Sequence, residues 1–135
     1  MKKIVLFVAS AVAALSMVSC AESPEVAGDW KVVKIGGEPV EFMEDAPFLS
    51  FDAAQGRVHG NTGVNIINGS YTIDGHKLHL IGIGTTMMAG PEQDMQVEQK
   101  FLSAINDVTT VKGSGNDKIL LYGKDGNLLM ELVRK

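Results

Sequence analysis

One cysteine, Cys20, in 135 residues excludes an intramolecular disulfide and any zinc site built from several thiolates. Imidazoles are scarce too. His76 and His79 are three apart on a predicted strand and face opposite sides, so they cannot chelate one ion together, and with His59 they read as exposed strand histidines. Lysine and arginine number 12 against 16 acids, which leaves no basic patch for nucleic-acid phosphates or anionic lipid headgroups. There is no Gly-x-Ser-x-Gly elbow and no phosphate loop with its lysine; Gly113-Ser114-Gly115 and Gly82-Ile83-Gly84 lack the strand-turn-helix setting that such chemistry needs. Glu41, Glu44 and Asp45 form a loop cluster without a partner group for general acid work, and Asn68-Gly69-Ser70 reads as turn chemistry. These absences predict no catalysis, no metal, no cofactor and no nucleic-acid partner. The length admits one domain and one ordinary core.

What is present begins with an address. Lys2 and Lys3 precede an apolar-and-small run from Ile4 to Val18, and small Ser19 stands directly before Cys20. As a helix the run spans about 22 Å, short of the ~30 Å of a bilayer core, so it reads as a secretory signal over residues 1–19 and not as a permanent span. Serine before a lone cysteine is similar to bacterial lipoproteins, whose cysteine receives a diacylglyceryl group; Cys20 is the expected lipidation site, with more than one acyl chain needed for lasting attachment. Residues 20–25 then read as the acylated cysteine and a short solvated tether, and the domain runs over 26–135. Loss of Lys2 and Lys3 leaves 10 basic against 16 acidic residues, a net charge of −6. Membrane contact is therefore expected through the lipid alone, at the cell envelope, with an outer-membrane location suggested by the acidic residues after Cys20.

The remainder predicts a mainly β fold with α+β character: a curled antiparallel sheet or half-barrel of about seven or eight short strands and one covering helix. Asp29–Ile35, Phe48–Phe51, Arg57–Gly60, Val108–Val111, Lys118–Tyr122 and Leu128–Val133 read as strands. Asp74-Gly75 between two alternating runs predicts a type I′ hairpin that pairs the Tyr71 and Ile73 face with Leu78 and Leu80. Pro91, with Glu92 and Asp94 behind it, predicts a helix start at the first helical position. Val97, Phe101 and Ile105, flanked by Met95 and Leu102, form its apolar stripe.

Several motifs recur in order with a known pattern. Trp30 lies on the first strand; Gly60-Asn61-Thr62-Gly63-Val64-Asn65 is followed by Gly69-Ser70-Tyr71, then Thr85, Thr86, Met88 and Ala89, then Glu98, Phe101 and Leu102, then Leu120, Leu121, Gly126 and Leu129. Over residues 26–134 this resembles the META domain, or HslJ-like, family, whose pattern carries cysteines where this chain has Val64 and Gly90. If those family positions are neighbours in space, a cross-link is missing here and packing replaces it. The resemblance implies Trp30, Gly60, Gly63, Tyr71, Glu98 and Phe101 as structural motif residues, with Glu98 pairing to a loop backbone to hold the helix on the sheet. It also implies an association with heat-shock stress and drug tolerance, and in a protist relative a lipid-holding cracked barrel similar to a secretion pilotin.

Asn65 reads first as a residue that bonds backbone in a tight loop, and second as a contact for a ligand or partner. Met87 and Met88, with Met43 and Met95, are either plain core or the lining of an adaptable pocket. Two functions of different kinds follow. One is an interaction module that meets another envelope protein through an exposed sheet edge or loop; the other is a carrier of a small apolar ligand or acyl chain inside the half-barrel.

Overall fold

A computed structural model describes residues 24–40 and 47–135. Cys20, Met43, Glu41, Glu44, Asp45 and the 1–19 signal lie outside the described residues. The strands run in chain order as β1 (Gly28–Ile35), β2 (Glu38–Pro39), β3 (Phe48–Asp52), β4 (Arg57–Asn61), β5 (Ile66–Asp74) and β6 (Lys77–Thr85), then helix α1 (Glu92–Asp107), then β7 (Val108–Gly113), β8 (Lys118–Gly123) and β9 (Leu128–Arg134). Neighbours in sequence pair antiparallel except β2 and β3, which both pair with β1, and β1 also pairs with β9 from Trp30 opposite Arg134 to Ile35 opposite Met130. The curled sheet therefore closes into an eight-stranded barrel, with β2 as a short extra strand beside β1. Closure through β1 and β9 removes the edges at the two ends of the curled sheet, and the barrel is thinly paired only between β6 and β7.

Alternation along each strand sends Trp30, Val32, Leu49, Phe51, Val58, Ile67, Leu78, Val111, Leu121 and Leu132 to the interior, each at most 2 % exposed. Trp30 sits where the first and last strands meet: its Nε1 donates to Val26 O at 2.8 Å, and the Arg134 guanidinium stacks on its ring at 4.1 Å. Arg134 also donates to Ala27 O at 2.9 Å. The chain thus enters at the end of the barrel where β1 begins and β9 finishes. Helix α1 lies at the other end, the mouth, packed against β1, β8 and β9. It presses Phe101, Ala104 and Ile105 inward, with Val97 and Leu102 half-buried at the flanks, as the stripe predicted.

Three local expectations need correction. The hairpin turn is Gly75-His76, because Asp74 pairs with Lys77; only Gly75 has positive φ (+61°), which is the type II′ arrangement and not type I′. His76 therefore leaves the strand, and its Nδ1 sits 2.9 Å from Val111 O. Gly69 is not a turn residue but a buried member of β5, where a Cβ would lie 3.0 Å from Ile81 O beside an irregularity in the β5–β6 pairing. Pro91 stands one position before the helix, and its carbonyl accepts the Met95 N–H at 3.0 Å.

On the outer wall, Lys118 approaches Glu131 at 3.0 Å and Lys34 approaches it at 3.6 Å, joining β8, β9 and β1. The hydrogen bond from Lys118 and the charges of both lysines hold the Glu131 carboxyl below its usual range, against the opposing effect of partial burial. A lowered folded-state value means that the stabilisation is complete above the ordinary carboxyl range and is lost as pH falls through the lowered one. Glu131→Gln should therefore cost up to about 1 kcal/mol in urea unfolding at neutral pH and nothing once Glu131 is protonated. An unchanged difference in acid would show that the ion pairs do not contribute.

Candidate functional site

The β4–β5 loop is shaped by its own short polar side chains. Asn61 Oδ1 accepts the Gly63 N–H at 2.7 Å, and Gly63 holds a φ of +105° that favours glycine. Thr62 Oγ1 accepts from the Val64 and Asn65 amides at 3.1 and 2.9 Å, while Thr62 N donates to Asn65 O at 2.9 Å. Gly60, just before, is the only residue type that fits: an added Cβ would collide with the carbonyl oxygen of Phe48 on β3. This compact loop aims Thr62 and Asn65 under the helix.

There they meet Glu98. Thr62 Oγ1 and Asn65 Nδ2 both donate to Glu98 Oε1, each at 2.7 Å, with all three residues at most 5 % exposed. Asn65 uses its whole amide: Nδ2 also donates to Met88 O at 3.0 Å, and Oδ1 accepts from Thr86 Oγ1 at 2.8 Å and Met88 N at 2.6 Å. Thr86 Oγ1 in turn accepts from Ile66 N at 3.0 Å. One asparagine therefore ties the β4–β5 loop, the segment after β6 and the helix together. The expected pairing of Glu98 with loop backbone is corrected: its partners are side chains. The donors on Oε1 satisfy a carboxyl group inside an otherwise apolar face, which is the condition for burying one.

Chemically the cluster is a clamp. The Thr62 hydroxyl is committed to Glu98, no imidazole joins the network, and every buried side-chain polar atom among the described residues has a partner. His59 packs edge-on to Phe48 at 6.3 Å on the outer wall. No group of three or more His, Cys, Asp or Glu side chains among the described residues is placed to hold a metal.

The clamp fixes the backbone of Met88, yet the neighbouring side chains point outward: Met87 is 91 % exposed and Met88 55 %. They border a groove of about 380 Å³ whose other wall is the α1 flank bearing Met95, Glu98 and Leu102. Asn65, Met87, Met88 and Met95, singled out from sequence, are therefore brought to one place, with Asn65 as the fastener beneath. Val64 and Gly90 are neighbours as well: a Cβ on Gly90 would lie 3.8 Å from Val64 Cβ and 3.2 Å from both its methyls. Of the other motif residues, Trp30 and Phe101 are core, and Tyr71 is buried edge-on to Phe51 at 5.0 Å. Burial, then the nearby carboxylates of Asp52 and Glu25, raises the Tyr71 phenol above its usual value. Thr62 and Thr86 are the functional members that sequence reasoning did not assign; a threonine three residues before a loop asparagine was the available signal for the first.

A closed antiparallel barrel with one helix over its mouth, fastened by a buried Thr-Asn-Glu clamp, defines a small β-barrel domain. The sequence model of the META domain matches residues 23–135, and the chain belongs to that family. Among solved structures it is similar to a protein from Burkholderia xenovorans determined by NMR, at 21 % identity and a TM-score of 0.64, covering 82 % of this chain and 83 % of that one. It is also similar to a DUF4847 family protein from Bacteroides vulgatus, at 16 % identity and a TM-score of 0.60, covering 82 % and 94 %. A search of curated proteins found no significant match.

Proposed function

We propose that the mature chain is a lipid-anchored, non-enzymatic interaction module of the bacterial cell envelope, tethered through Cys20, probing another envelope protein with the mouth of its barrel in stress response or assembly. The observation that carries this reading is the rigid presentation of Met87 and Met88. A buried polar network spends all four hydrogen-bonding positions of Asn65 to immobilise the backbone under two exposed, adaptable apolar side chains. Preorganising a loop in this way lowers the entropy lost on binding. The entry of the chain at Pro24, beside Gly113 and Arg134, supports the same arrangement, because it leaves the mouth facing away from the tether.

The acyl-carrier alternative is less well supported in its original form. The space inside the barrel is taken by Leu49, Ile67, Leu78, Leu121, Met130 and Leu132, all essentially unexposed, and the methionine-lined groove lies at the mouth instead.

The test is chemical cross-linking in intact cells followed by recovery from solubilised envelopes. Wild type should retain a specific envelope protein that Met87→Gln/Met88→Gln loses at unchanged thermal stability. Cys20→Ser should move the protein to the soluble fraction. Equal recovery by the methionine variant would sink the proposed contact, and unchanged membrane retention of Cys20→Ser would sink the tether.

A further inference from the structure

The barrel is closed by one weak seam. Every other neighbouring pair of its strands shares at least four residues of register, whereas β6 meets β7 only at Lys77 opposite Thr110. At the turn end of the seam a further backbone bond runs from Val111 N to His76 O at 2.9 Å. From Leu78 to Thr85, therefore, β6 pairs with β5 on one side and with no described strand on the other. Alternate residues of such a strand turn an N–H and a C=O toward the open side. α1 packs mainly on β1, β8 and β9.

The stretch also lacks the devices that usually protect an edge. Leu78–Thr85 contains no charged residue and no proline, and Ile81 is 50 % exposed. Its one irregularity is Gly82, at φ +61°, where β6 steps from Ile81 opposite Ser70 to Gly84 opposite Asn68. Leu80 and Ile83, which face inward, remain only half-buried, so the inner layer is incomplete along this line. The edge then runs directly into the methionine groove: Thr85 ends β6 and also lines that groove, opposite Met95 and Leu102 of α1.

We infer that this edge receives an extended segment of a partner protein, added as a strand beside β6 and seated between it and the Met95/Leu102 flank of α1. The occupant's chemistry follows from the walls. Unpaired backbone groups call for another extended backbone, half-buried Leu80 and Ile83 call for apolar side chains at alternate positions, and an edge without charge calls for a segment without charge. A second copy of this chain fits less well: Gly82 offsets the edge midway, so two antiparallel β6 strands would match only over Leu78–Ile81. The inference rests on the interaction-module reading and names the partner's form.

The test uses the full mature chain from residue 20 and a capped, uncharged peptide of alternating valine and threonine, with a twin N-methylated at every second residue. N-methylation removes the donors that strand pairing needs and leaves the apolar surface. The plain peptide should slow amide exchange across Leu78–Thr85 by about tenfold or more, the twin should have no effect, and Ile81→Lys should weaken binding about tenfold. Equal protection by both peptides would overturn strand addition, as would no protection at millimolar peptide. So would protection without peptide that accompanies a dimer in sedimentation. If wild type still captures its envelope partner through Met87 and Met88 while β6 stays unprotected, strand addition alone fails; if capture is lost too, the underlying reading fails with it.

Discussion

Asn65→Ala is expected to lower the unfolding free energy by about 2–4 kcal/mol, a large share of what a domain of this size possesses. The substitution removes both amide donors and both lone-pair acceptances at once. Glu98 Oε1 keeps only Thr62, inside a region closed to water, while Met88 and Thr86 lose the partners that fix their segment. Water can reach the exposed Thr86 and Met88 side of the network, which keeps the cost below the sum of four buried losses. Asn65→Asp should be worse still, because an acceptor oxygen then faces Glu98 Oε1 where the amide donated at 2.7 Å. Urea unfolding of the three proteins checks this order. A loss below about 0.5 kcal/mol for Asn65→Ala would mean that the clamp is incidental to the fold.

Val64→Cys/Gly90→Cys should do the opposite. The 3.8 Å between Val64 Cβ and a Cβ built on Gly90 is the mean separation found in disulfides, and Gly90 does not occupy the left-handed region that would strain a side chain. The bridge closes a loop of about 27 residues, for which chain entropy gives about 3.5 kcal/mol. With Cys20→Ser as background to leave one possible pair, the oxidised protein should unfold at higher urea than its reduced form by that amount, and dithiothreitol should abolish the gain. Gly90→Cys alone should be mildly destabilising, since its Cβ meets the Val64 methyls at 3.2 Å. A failure to oxidise would show that the two segments do not approach as described.

These two variants act on the same junction from opposite sides, and they explain how the chain manages without the family's cysteines. Where the pattern places thiols, Val64 packs on the bare backbone of Gly90, and two residues before Gly90 the Asn65 amide grips Met88 through both its N–H and its carbonyl. Van der Waals contact and a polar fastener hold together what a covalent bond would otherwise hold.

Much of this was legible in the sequence because it is local. Alternation and short apolar runs located every strand of four residues or more, and the 3.6-residue period located α1 and its inward Phe101 and Ile105. The two-residue β2 left no periodic trace. The ends of β5 and β6 were missed because Gly69, Gly82 and Gly84 look like punctuation; at Gly69 the reason for glycine is the approach of β6, a fact about a neighbour and not about a turn. The partners of Glu98 lie 33 and 36 positions away, so the sequence offered a charged residue beside an apolar stripe but not what neutral donors would meet it. Closure of the barrel through β1 and β9 and the weak β6–β7 seam were equally out of reach, since strand pairing across the whole chain is decided by global geometry.

The pairing of β1 with β9 also sets the timetable of assembly. A chain that is made and delivered from its N-terminus offers Trp30 early, but the stacking under Arg134 and the register opposite Leu132 and Val133 exist only after β9 arrives. Hairpins such as β5–β6 are free to form while delivery continues, whereas the staves cannot be hooped until β9 is present. A nonsense codon that deletes β9 would therefore leave β1 and β8 each short of one neighbour, and damage the first strand made as surely as the last.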